Sequence, residues 1–121
     1  MKVLLVDDSR TMRNIQKNCL TQIGFTDIIE ACDGLDALSK AQASPPDLIL
    51  LDWNMPNMDG LTFLKTFRKT NPSTPVIMVT TEAEKTRVIE AIKAGVNNYV
   101  VKPFMPDALS ARIDETLKKA G

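Results

Sequence analysis

Asp47-Leu48-Ile49-Leu50-Leu51-Asp52 is the stretch from which the rest of the chain can be read. Four apolar residues in succession leave no polar side to face water. The run is too short for a buried helix, and Pro45 and Pro46 close whatever precedes it. Such a segment, expected over 47–51, is a strand covered on both faces, as inside a parallel sheet. It then stops abruptly on a carboxylate.

Outward from it, four more short runs appear at residues 2–6, 27–31, 75–79 and 98–101. Lys2-Val3-Leu4-Leu5-Val6 and Pro75-Val76-Ile77-Met78-Val79 share the continuous apolar character. Asp27-Ile28-Ile29-Glu30-Ala31 contains an acid and reads as an edge strand, and Asn98-Tyr99-Val100-Val101 is the fifth. Helical periodicity fills the intervals. Met12, Ile15, Cys19 and Ile23 share one side of a first helix, and Leu109, Ile113 and Leu117 one side of the last. Asp33 and Asp59 stand before helical stretches as N-caps, while Gly24 and Gly95 follow such stretches where a C-terminal cap wants positive φ. Thr81 and Glu84 have capping-box spacing, and Pro106 suits a first turn. The pattern is βα five times over, an α/β fold with a parallel sheet and helices on both faces.

Composition bounds the function. The chain has 121 residues, which suits one domain over 1–121 with no output domain attached. Fifteen basic side chains balance fifteen acidic ones, against the basic excess of a nucleic-acid binder. No apolar stretch approaches the ~18 residues needed to cross a bilayer, and the opening Met-Lys-Val-Leu-Leu-Val is too short for a signal peptide. Cys19 and Cys32 have neither metal-type nor redox-type spacing, and a cytoplasmic protein is expected. Histidine is absent, which excludes Ser–His and Cys–His catalysis and histidine metal sites.

Chemistry must therefore come from carboxylates, lysine, hydroxyls and backbone. In an open α/β sheet the reactive groups gather beyond the carboxyl ends of the strands. Those ends carry Asp7 and Asp8, then Asp52, Thr80, and Lys102 followed by Pro103. Clustered carboxylates repel one another and either take up protons or recruit a cation, for which Mg²⁺ is the hard-ion choice. With Lys102 as a second positive charge, the cleft suits a phosphoryl group that a carboxylate attacks in line. Each residue has a plainer reading. Asp8 alone would serve as an N-cap, Thr80 as an ordinary strand end, Trp53 and Tyr99 as packing residues, and Lys118 and Lys119 as complements to a helix dipole. It is the conjunction that points to chemistry.

That conjunction, spread over essentially the whole chain, resembles the response-regulator receiver domains. The stretch from Asp52 to Gly60, Thr80 followed two residues later by Glu82, and the stretch from Asn98 to Phe104 resemble the single-domain chemotaxis regulators within that family. The resemblance implies a doubly wound, flavodoxin-like three-layer sandwich with strand order 2-1-3-4-5. It implies that Asp52 is the phosphoacceptor, fed by a histidine kinase of chemotaxis type. Asp8, Asp52 and the backbone carbonyl of Asn54 would hold Mg²⁺, with Asp7 helping through water. Lys102 would pair with the phosphoryl oxygens, Thr80 would hydrogen-bond one of them, and Tyr99 would turn inward behind it. A cis bond between Lys102 and Pro103 would aim the lysine. The implied output is binding of a flagellar motor switch protein by a monomer that is no turnover enzyme and touches neither nucleic acid nor membrane. Within the family the alternatives are a phosphorelay intermediate or the regulator of another histidine kinase. A haloacid-dehalogenase-like phosphatase would need an acid two residues after its nucleophile, where this chain has Asn54. A flavin-binding module would need a hydroxyl- and glycine-rich loop after the first strand, where Asp7 and Asp8 would repel phosphate.

Overall fold

The computed structural model describes residues 1–81, 85–102 and 104–120, with the backbone only at Thr80, Lys85, Thr86 and Ala120. Elements alternate in the order β1 (Lys2–Val6), α1 (Arg10–Gln22), β2 (Asp27–Ala31), α2 (Gly34–Ala43), β3 (Leu48–Leu51), α3 (Gly60–Arg68), β4 (Val76–Thr80), α4 (Lys85–Lys93), β5 (Asn98–Val101) and α5 (Pro106–Ala120). The strands form one sheet in the order β2-β1-β3-β4-β5, every pairing parallel. The doubly wound arrangement is therefore as expected, and the strand carrying Glu30 lies at an edge.

The continuous apolar runs have a direct structural reason. Side chains alternate across the sheet, and each side has its own core. Val3, Leu5, Leu48, Leu50, Ile77 and Val79 meet Cys19 and Leu20 of α1 and Leu109 and Ile113 of α5. Leu4, Val6, Ile49, Leu51, Val76 and Met78 meet Ala37 and Ala41 of α2, Phe63, Leu64 and Phe67 of α3, and Ala91 of α4. No residue of β3 reaches water, so none of its four positions tolerates a polar side chain.

The caps follow local chemistry. Asp33 and Asp59 accept from the backbone N–H groups of Asp36 and Thr62, both at 2.8 Å. After α1, Gly24 takes φ +103° while Gly24 N–H and Phe25 N–H close onto the carbonyls of Thr21 and Leu20. Gly95 repeats that device after α4. Ser9 is the N-cap of α1, accepting from Met12 N–H at 3.2 Å, so the plainer capping role of Asp8 does not apply. One expectation at α1 needs correcting. Ile15 is 44% exposed, and Gln16 takes its place on the buried side beside Cys19 and Leu20. β3 and β4 each begin one residue later than expected, β4 running on to Thr80. The Thr81–Glu84 capping box and the Lys102–Pro103 bond lie outside the described residues.

Candidate functional site

The carboxyl ends of β1, β3 and β5 converge because those strands are parallel and β1 and β3 are neighbours. Asp7 and Asp8 follow β1, Asp52 follows β3, and Lys102 follows β5. One carboxylate oxygen from each of the three aspartates lies within 4.8 Å of the others. Asp7 and Asp52 are buried, 1% and 7% exposed, whereas Asp8 is open to solvent.

Asp7 is the most heavily bonded of the three. Its Oδ1 accepts from Ser9 N–H at 2.9 Å, and its Oδ2 from Gln16 Nε2 at 3.2 Å and Lys102 Nζ at 2.6 Å. Its main-chain carbonyl accepts from Arg13 Nη1 at 2.6 Å. The amide of Gln16 explains its place in an otherwise apolar stripe: it satisfies a buried carboxylate that would be costly left bare. Neither Gln16 nor Arg13 stands out in the sequence. The available signal is Gln16 at a core position of α1, four residues after Met12.

Asp52 has a different environment. Its Oδ1 accepts from Trp53 N–H at 2.9 Å and lies 3.3 Å from Lys102 Nζ. Among the described residues no donor reaches its Oδ2. Burial raises its pKa to about 6, with the negative charge of Asp7 as the next cause, while Lys102 and the Trp53 amide pull the other way. Three carboxylates face one ammonium, so the pocket retains an excess of negative charge that fits a hard divalent cation.

The β3–α3 connection begins at Asp52 and is held close to the sheet. Gly60 N–H returns to the Trp53 carbonyl at 2.8 Å, and a β-carbon on Gly60 would fall 2.1 Å from the Asp52 carbonyl oxygen. Trp53 is buried, with the Arg87 guanidinium 5.1 Å above its ring centre. Asn54 is exposed. Tyr99 packs on the α2–α3–α4 side of the sheet, and its hydroxyl is shielded from solvent. Of the residues singled out in the sequence, the structure brings Asp7, Asp8, Asp52 and Lys102 together. Thr80 ends β4, and its side chain lies outside the described residues. Among the described residues no helix is long and apolar enough to cross a membrane.

Comparison with known proteins agrees with this geometry. Residues 3–114 match the family of the response regulator receiver domain. The chemotaxis protein CheY1 of Helicobacter pylori strain J99 is 48% identical over 120 residues, covering 97% of both chains. A chemotaxis protein CheY homolog of Campylobacter jejuni is also 48% identical, over 97% of this chain and 92% of its own. Among solved structures, Vibrio cholerae chemotaxis protein CheY4 superposes with a TM-score of 0.89 at 37% identity, covering 95% of this chain and 97% of its own. A CheY-like receiver domain protein from Methanospirillum hungatei gives 0.91 at 28% identity, over 98% and 94%. With the acidic cluster and its lysine set at the carboxyl ends of a 2-1-3-4-5 parallel sheet, the chain belongs to the response regulator receiver domain family.

Proposed function

We propose that the chain is a phosphorylation-operated switch of chemotaxis signalling, with Asp52 as its phosphoacceptor. One observation carries this reading: a buried carboxylate, with an oxygen that no donor among the described residues reaches, clusters with two other acids and an ammonium in a chain 48% identical to chemotaxis proteins. Asp52 Oδ2 attacks phosphorus, and the P–N bond of a kinase phosphohistidine breaks. The imidazole nitrogen keeps that electron pair and takes up a proton. Lys102 Nζ, already 3.3 Å from Asp52, turns from the carboxylates to a phosphoryl oxygen. Asp8, Asp52 and the Asn54 backbone carbonyl would hold Mg²⁺, with Asp7 helping through water. When bound, the ion supplies positive charge to the transferring oxygens. Water attack on phosphorus later releases inorganic phosphate and restores the carboxylate.

Without a second acid at position 54, no side chain there is suited to drive fast turnover, and the anhydride lasts long enough to signal. Thr80 and Tyr99 convert it to a shape change at the α4–β5–α5 surface, which a flagellar motor switch protein reads. Moving that equilibrium from 1:99 to 99:1 takes about 5.5 kcal/mol, within reach of a few charge-assisted hydrogen bonds at ~1.5–3 kcal/mol each. The phosphorylated chain binds its partner as a cytoplasmic monomer. The test is a small acyl phosphate with Mg²⁺, followed by intact mass and Trp53 fluorescence. The unaltered chain gains one phosphoryl group and Asp52→Asn gains none. An unmodified chain, or equal labelling of the variant, refutes the reading.

A further inference from the structure

The loop after Asp52 is tied to a part of the molecule that the phosphoryl chemistry does not use. Asn57 takes φ +66°, the only non-glycine among the described residues at positive φ, and its Nδ2 donates to Asp33 Oδ2 at 2.8 Å. The other oxygen of Asp33 caps α2 by accepting from Asp36 N–H at 2.8 Å, so this carboxylate is anchored to a rigid element before it meets the loop. The next residues repeat the attachment. Gly34 N–H donates to the Met58 carbonyl at 3.1 Å, and a β-carbon on Gly34 would fall 2.6 Å from Met58 Cγ, so loop and helix start are in close contact. Asp33 is buried while Asn57 is exposed, so the bond is shielded from water on its acceptor side only.

We infer that Asp33 and Asn57 are positioning residues for Mg²⁺ binding: through their hydrogen bond, the start of α2 holds the loop that carries Asn54. This rests on the metal reading given under Proposed function. Asn54 lies three residues before Asn57, and its contribution is a backbone carbonyl, which no rotamer can re-aim. Only the course of the loop decides where that oxygen lies. A loop free to wander must be ordered when the ion arrives, at a cost in affinity; a loop already tied at Asn57 and Met58 avoids it. The left-handed conformation of Asn57 fits this reading, because it is where the chain bends so that both the side chain and the following carbonyl reach α2.

Two variants separate positioning from folding. Asn57→Gly keeps the backbone conformation and the net charge but removes the donor. Asp33→Ser keeps an oxygen to cap Asp36 N–H but is too short to reach Asn57. Mg²⁺ binding is measured by isothermal titration calorimetry on the full chain, well below each variant's unfolding midpoint. Each variant is expected to bind Mg²⁺ about tenfold more weakly, as for partners that orient metal ligands. The double variant is expected to be no weaker than the worse single, because both remove the same bond. Unchanged affinity in Asn57→Gly, or losses that multiply in the double variant, overturns the inference while leaving the metal reading intact. Failure of the unaltered chain to bind Mg²⁺ overturns the metal reading and this inference with it.

Discussion

Replacing Asp52 with asparagine should stabilise the metal-free protein at neutral pH, although it removes an ion-pair partner from Lys102. The folded-state pKa of Asp52 is about 6, against 3.8 for an ordinary aspartate, chiefly because burial disfavours the charged form and next because Asp7 repels it. Between those two values the folded state holds the proton and the unfolded state does not. The contribution of this group to stability is therefore lost as pH rises through that window and stays absent above it. About two pH units at ~1.36 kcal/mol each set a ceiling of roughly 3 kcal/mol. Water at the mouth of the pocket screens part of this, leaving about 1–2 kcal/mol. Asparagine retains an oxygen for the Trp53 N–H, and Lys102 retains Asp7 at 2.6 Å, so little is lost in exchange. Urea unfolding in the presence of a chelator is the assay. At pH 8 the variant's ΔG should exceed that of the unaltered chain by that amount, and near pH 4 the two should converge. Mg²⁺ at a hundred times its Kd should then raise the unaltered chain by ~2.7 kcal/mol and the variant by much less, reversing the order. A variant less stable than the parent at pH 8 without metal would refute the argument, because the Lys102 pair would then outweigh both burial and repulsion.

Three further substitutions probe other parts of the structure. Gly60→Ala places a β-carbon 2.1 Å from the Asp52 carbonyl oxygen and 3.0 Å from Trp53 Cα, both of them backbone, and should cost about 2–3 kcal/mol in urea unfolding while weakening Mg²⁺ binding. Arg68→Met leaves the carbonyls of Gly95, Asn71 and Thr74 and the Asn97 side chain without their guanidinium donor; it should cost about 2–4 kcal/mol yet leave the rate of phosphorylation unchanged, since these groups lie at the far end of the sheet. Lys102→Arg, which puts a broad planar group where an ammonium reaches Asp7 and Asp52, should still permit phosphorylation but reduce the donor-dependent gain in partner binding by about tenfold, a loss of ~1.4 kcal/mol in coupling.

Features that depend on neighbours along the chain could be read from residue order alone. Five strands and five helices follow from apolar periodicity, and Asp33, Asp59, Gly24 and Gly95 mark helix ends because caps are made by groups within a few residues of one another. The candidate residues Asp7, Asp8, Asp52 and Lys102 were visible for a related reason: each lies within two residues of a strand's carboxyl end, and parallel strands point their ends the same way. Their pairing was not visible. Lys102 bonds to Asp7 across 95 positions, Gln16 displaces Ile15 from the buried side of α1 to serve that same carboxylate, and Asp33 meets Asn57 across 24. Strand order likewise came from family resemblance rather than from the residues. Periodicity records which side of an element is buried, not which distant group it will face. That choice is made only when the packed sheet leaves a few buried charges and must find each one a partner, and no window of neighbouring residues contains both members of such a pair.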